Sequence, residues 1–126
     1  MTYQYAKRLP VLLAVLAALL LSGCATKQEP LYYWGDFQSQ QYSYLKGDKG
    51  PEEGIINLEK VREEAKSRGK SVPPGLQAHL GMLYGVTGRT DLFEKNLLAE
   101  KSLYPESAAY VDFLLKRKQQ QKVVTK

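Results

Sequence analysis

Apolar residues recur at helical spacing along most of the chain, and no stretch of any length alternates as a strand would. The clearest stripe follows Pro51 and consists of Ile55, Leu58, Val61 and Ala65. Proline suits the first turn of a helix, and Gly69 suits the left-handed residue that ends one. The pattern therefore predicts a helix from Pro51 to about Arg68.

Four further helices follow from the same reasoning. The first begins after Asp36, which we expect to be its cap, and buries Phe37, Tyr44 and Leu45. The third runs from about Leu76 to Thr87. Later caps are expected at Thr90 or Asp91 and at Ser107. The apolar residues of the last two helices are Phe93, Leu97, Leu98, Tyr104, Tyr110, Val111, Phe113, Leu114 and Leu115.

One segment has the spacing of a tetratricopeptide repeat. The residues that match the pattern are Leu80, Gly81, Tyr84, Gly88 and Pro105. The residues that depart from it are Gln77, Phe93, Leu97 and Glu100. A generic helical hairpin is the alternative, and residues 36–72 show no true repeat register. We predict an all-α fold, a short tetratricopeptide-like helical hairpin array in which the fifth helix is the solvated C-terminal cap.

The amino-terminal segment has the parts of a secretory signal. Lys7 and Arg8 precede the apolar run Leu9–Leu21, which is shorter than the roughly 20 residues a membrane-spanning helix needs. Leu-Ser-Gly-Cys then matches the bacterial lipobox, with cleavage between Gly23 and Cys24 and acylation of the Cys24 sulfur. The alternative is an uncleaved anchor helix with an incidental cysteine.

The residues after Cys24 refine this prediction. Ala25 and Thr26 lack the aspartate that retains such proteins at the inner membrane, so we expect a lipid anchor in the outer membrane, on its periplasmic face. Removal of the signal leaves 16 basic against 13 acidic residues, a net charge of +3. That charge is too small to indicate a nucleic-acid partner.

The sequence thus divides into a signal peptide at 1–23, a lipidated aromatic tether at 24–35, a helical domain at 36–118 and a polar tail at 119–126. In the tether, Tyr32, Tyr33 and Trp34 either pack under the domain or lie at the membrane interface. The basic run Lys116, Arg117 and Lys118 is the second candidate interface.

Residue types for catalysis are scarce. His79 is the single histidine and Cys24 the single cysteine, so neither a nucleophile with its base nor a zinc site is expected. We predict no enzymatic activity, no cofactor, no metal and no small-molecule substrate.

Three motifs resemble a family of small, uncharacterised proteobacterial outer-membrane lipoproteins, a domain of unknown function. They are the segments Leu31-Tyr32-Tyr33-Trp34-Gly35, Pro73-Pro74-Gly75-Leu76 and Tyr104-Pro105-Glu106-Ser107. The resemblance implies an outer-membrane assembly, because such proteins are often encoded beside a lipoprotein similar to the curli-secretion channel subunit.

The function expected from these observations is that of a membrane-anchored scaffold or accessory subunit with a protein partner. A secretion-channel-like lipoprotein is the candidate partner. The alternative is binding of peptidoglycan or another anionic envelope polymer through the basic run.

Overall fold

The computed structural model of the chain describes residues 8, 10–11, 13–17 and 28–124, apart from the side chains of 121–124. The predicted all-α fold is confirmed, and the described residues contain only one isolated β-bridge. Five helices lie within 28–124, with a short 3-10 turn at Pro105–Ser107: α1 Phe37–Lys46, α2 Pro51–Ser67, α3 Leu76–Val86, α4 Thr90–Leu103 and α5 Ala108–Val124. In the described part of the chain, no helix is both long and apolar enough to cross a membrane.

The helices stack in chain order, each packing against the next across a short turn, except that α2 and α3 are joined by the longer loop 68–75. Helix α3 is central because it packs between α2 and α4, which explains why most of its residues are buried. The predicted stripe of α2 is buried against it, and so are Leu76, Leu80 and Leu83 of α3. These apolar contacts form the core, and burial of each large aliphatic side chain is worth about 1.5–3 kcal/mol.

Several predicted boundaries are confirmed. Helix α2 begins at Pro51, and Gly69 adopts the left-handed conformation just after α2 ends, with φ of 63°. Gly88, with φ of 80°, turns the chain between α3 and α4. At the carboxyl end, α5 continues to Val124, past the Lys118 boundary that the sequence predicted for the domain.

The predicted side-chain caps are wrong. Asp36 precedes α1, but its carboxylate accepts a hydrogen bond from Gln40 Nε2 at 2.7 Å rather than from a backbone amide. Helix α4 already begins at Thr90, because Gly88 turns the chain immediately before it, and Arg89 takes the cap position. Ser107 lies in the 3-10 turn, where its hydroxyl donates to the Tyr104 carbonyl at 2.7 Å.

The apolar pattern overestimated burial at Leu45, which is 74% exposed. Apolar residues of the last two helices, Leu98, Tyr110 and Phe113, are exposed as well. Helix α1 ends the stack on one side and α5 ends it on the other, so no further helix covers the outer face of either. Helix α5 therefore exposes more apolar surface than the solvated cap that we expected.

Gly81 lies at a close contact between α3 and α4. A Cβ atom there would stand 3.2 Å from the Phe93 carbonyl oxygen and 3.3 Å from Asn96 Cβ. Gly85, one turn later, lies against the Phe93 ring, where a Cβ would approach to 2.8 Å. Close helix contact thus offsets the roughly 1 kcal/mol that each glycine costs in a helix interior.

We expect Gly81→Leu to lower the free energy of unfolding by about 3 kcal/mol, because the added side chain must push α4 away from α3. Urea denaturation of the mature chain, followed by circular dichroism, measures this change. Gly50→Leu is the matched control, since a Cβ at Gly50 meets nothing within 4 Å. Equal stability of the two variants would contradict the close crossing.

Candidate functional site

The aromatic tether is attached to the helical domain. Tyr33 N–H donates to the Ser71 carbonyl at 2.9 Å, and the Tyr33 hydroxyl donates to Glu64 Oε2 at 2.5 Å. The hydrogen bond to this carboxylate raises the pKa of Tyr33. Tyr32 packs edge-on against the Tyr104 ring, with 6.0 Å between centroids. Both tyrosines are half-buried, as packing under the domain requires.

Trp34 is the more accessible member of the tether. Its ring stacks on Phe37 with 6.4 Å between centroids, yet 40% of the residue stays exposed. Of the three candidate interface residues in the tether, Trp34 therefore presents the most surface to a membrane or a partner.

A groove opens between α3 and α5 on the side where both helices leave α4 uncovered. Its volume is about 320 Å³, and its lining residues are Met82, Gly85, Val86, Phe93, Leu114, Arg117 and Lys118. We call it the α3–α5 groove. Met82 and Tyr110 join its two walls through a contact of 3.3 Å between the Tyr110 hydroxyl and the Met82 sulfur. The exposed side chains of Val86 and Phe113 extend this apolar surface.

Two members of the basic run line this groove. The Lys118 amino group lies 4.1 Å from the centroid of the Phe93 ring, and the Arg117 guanidinium lies 5.6 Å from that of Phe113. These contacts hold the cations beside the aromatic surface. Lys116 is exposed on α5 but does not line the groove. The sequence identified the run but could not show that part of it borders an apolar groove.

A polar network connects α2, α3 and α4 on another side of the stack. The Tyr84 hydroxyl donates to Glu59 Oε1 at 2.7 Å, and Arg62 contacts both Glu59 and the Asn96 side chain. Burial, followed by the hydrogen bond to Glu59, raises the pKa of Tyr84 to about 12. Tyr84 therefore stays a neutral donor at physiological pH, and the network ties the three helices together.

Glu100 is a buried carboxylate that the sequence did not single out as important. It is 2% exposed, and its two oxygens accept hydrogen bonds from the backbone amides of Gly75 at 2.7 Å and Ala78 at 3.2 Å. A residue of α4 thus caps the positive end of α3, where a carboxylate is stabilised by free amides and the helix dipole. The sequence did contain one sign of this role: the tetratricopeptide pattern has a small residue at this position, and this chain has Glu100 instead.

His79 is buried in the core. It is 6% exposed, and its ring lies 5.6 Å from Tyr44 and 6.3 Å from Phe37, centroid to centroid. Burial lowers the pKa of His79. These surroundings give His79 a packing role, since its nearest rings are aromatic side chains of α1.

The described residues contain no group of three or more histidine, cysteine or acidic side chains placed to hold a metal ion. Gly23 and Cys24, the predicted cleavage and lipidation residues, lie outside the described residues. The repeat-spacing residues all occupy structural positions: Leu80 and Tyr84 are buried, Gly81 is at the helix crossing, Gly88 is in the turn and Pro105 follows α4. Membership of the tetratricopeptide class itself stays a prediction.

These features define a small all-α protein of stacked helices with an apolar groove on one side. The chain belongs to the DUF4810 family, a domain of unknown function, whose sequence model matches residues 31–114. The match runs from the aromatic tether to Leu114 in the groove, and it confirms that the chain is a member of an uncharacterised domain family. No curated protein and no solved structure was found to match.

We expect Glu100→Ala to lower the free energy of unfolding by about 2–4 kcal/mol, because two amides at the start of α3 lose their acceptor. Glu100→Gln keeps one acceptor oxygen, so its free energy of unfolding should lie between those of the wild type and Glu100→Ala. Urea denaturation measures both variants. Glu94→Ala, an exposed position of α4, is the control, and a loss equal to that of Glu100→Ala would contradict the capping role.

The lowered pKa of His79 makes stability depend on pH. The unfolded chain takes up the proton at pH about 6.5, before the folded chain does, so stability is greatest above that pH. It falls as the pH drops from 6.5 towards the lower pKa of the folded protein. Thermal unfolding between pH 5 and 7.5 should show this fall in the wild type. His79→Phe keeps a ring beside Phe37 and Tyr44 but cannot titrate, so an unchanged pH dependence in this variant would contradict the assignment.

Proposed function

We propose that this protein is a lipid-anchored scaffold, or accessory subunit, that holds a protein partner at the periplasmic face of the outer membrane. The observation that carries the proposal is the α3–α5 groove, with Val86 63% and Phe113 54% exposed beside it. Contiguous apolar surface on a small protein favours an interaction site, because leaving it in water costs free energy.

The remainder of the stack supports a binding role because it makes the groove walls rigid. Helix α3 is held on one side by the core of α2 and on the other by the close contact at Gly81. A preformed surface loses little conformational entropy when a partner binds, which favours affinity.

The lipid anchor is proposed from the sequence around Cys24, together with one geometric constraint. Tyr32 already pairs with Ser71 in the domain, and it is only the eighth residue after Cys24. At about 3.5 Å per extended residue, Tyr32 would lie within about 28 Å of the acylated cysteine. The scaffold would thus act close to the bilayer. The resemblance to small lipoproteins favours a secretion-channel-like lipoprotein as the partner.

We expect Cys24→Ser to release the protein from membranes while leaving its thermal stability unchanged, because the described hydrophobic core is built from residues between Phe37 and Val111. Membrane flotation and thermal unfolding measure the two effects. Complementation of a deletion strain should be lost, since a free scaffold no longer concentrates its partner at the membrane. Full complementation by the released variant would contradict the anchored scaffold.

Affinity purification from solubilised envelopes, with lipidation intact, tests the partner. We expect recovery of a membrane-associated protein that is lost when Val86→Glu places a charge in the groove. Cosedimentation with purified sacculi tests the alternative of polymer binding. Sedimentation abolished by changing Lys116, Arg117 and Lys118 to glutamine, without a protein partner, would favour that alternative over the scaffold.

A further inference from the structure

We infer that the α3–α5 groove receives an amphipathic helix of the partner that carries acidic residues beside its apolar side chains. The inference rests on the proposed scaffold function and names its binding site and the chemistry of its ligand. Three properties of the groove support it: its apolar floor, the sign of the charge on its border and the helical conformation of its walls.

The floor of the groove is apolar because Phe93 of α4 lines it between Met82 on α3 and Leu114 on α5. Gly85 lets the Phe93 ring lie directly against α3, so the ring lines the groove although it is only 8% exposed. The volume of about 320 Å³ is at the low end of the roughly 300–1,000 Å³ typical of small-molecule pockets, and the groove is open along its length. It suits a few apolar side chains inserted from outside better than an enclosed ligand.

The positive charges on the border of the groove favour a ligand with acidic side chains. Arg117 and Lys118 are among the lining residues, whereas none of the lining residues is acidic. Both cations are kept near the groove by the rings of Phe113 and Phe93. Acidic side chains next to the inserted apolar ones would therefore gain favourable interactions, and basic ones would be repelled.

The helical backbone of the groove walls favours a ligand that is itself a helix. Both walls are α-helices, and an α-helix has no free edge along which a strand could be added. A helical ligand satisfies its own backbone hydrogen bonds while its apolar face enters the groove. Side chains spaced at i, i+3 or i+4 and i+7 share one face of such a helix and would enter the groove between Met82 and Leu114.

Photo-crosslinking in the native host tests the inference on the full-length, lipidated protein. Benzoylphenylalanine replaces Val86 or Tyr110 in the groove wall, and Ile56 of α2 or Leu45 of α1 as exposed positions elsewhere. We expect the two groove positions to crosslink to one protein. Mass spectrometry of the crosslinked peptide should find apolar residues at helical spacing with Asp or Glu within one turn of the crosslink.

Charge reversal supplies a matched pair of variants. Arg117→Glu should reduce groove crosslinking about tenfold, because a like charge then faces the acidic ligand. Lys95→Glu makes the same charge change at an exposed position of α4 outside the groove and should leave crosslinking unchanged. Thermal unfolding of both variants confirms that the fold is intact.

The outcomes separate this inference from the proposed function. Crosslinks to a protein from Ile56 or Leu45 alone would overturn the groove assignment and keep the scaffold. Crosslinks from the groove to lipid, or to a peptide without acidic residues, would overturn the proposed ligand. A lack of protein crosslinks at all four positions would overturn the scaffold as well.

Discussion

The buried carboxylate of Glu100 ties the end of α4 to the beginning of α3. It belongs to α4, yet it binds the amides of Gly75 and Ala78 at the start of α3. One turn later, the Tyr104 hydroxyl donates to the Val72 carbonyl in the loop before α3. The end of α4 thus orders the loop that begins α3, and that same loop pairs with Tyr33 of the tether. Removing the Glu100 carboxylate would leave the amides of Gly75 and Ala78 without their acceptor.

The α3–α5 groove follows from how tightly α3 and α4 are packed. Helix α4 contacts α3 closely because Gly81 and Gly85 have no side chains, and it also packs against α5. Gly85 lets the Phe93 ring lie directly against α3, and the ring lines the groove between α3 and α5 while staying only 8% exposed. The glycines that allow tight packing of α3 and α4 therefore also set the position of the groove floor. This link makes the groove a property of the fold rather than of a flexible loop.

Much of the architecture could be predicted because it depends on local spacing. The stripe of α2, the turn at Gly88 and the role of Gly81 all follow from periodicity and glycine conformation. The caps could not be predicted in the same way, because α3 receives its acceptor from Glu100, 25 residues away in sequence from Gly75. The prediction of burial at the ends of the stack was wrong for a similar reason. Leu45 has the spacing of a core residue but no helix beside it.

The sequence by itself determined the helices and their order, since both depend on neighbouring residues and on their helical period. Only the tertiary structure decided that Phe93 of α4 would form the floor of a groove whose walls include Val86 and Arg117. Those residues come from three helices, and their proximity depends on how closely α3 and α5 approach α4. The physical reason is that periodicity reports which side of a helix is apolar, whereas exposure depends on which neighbours are present to cover it.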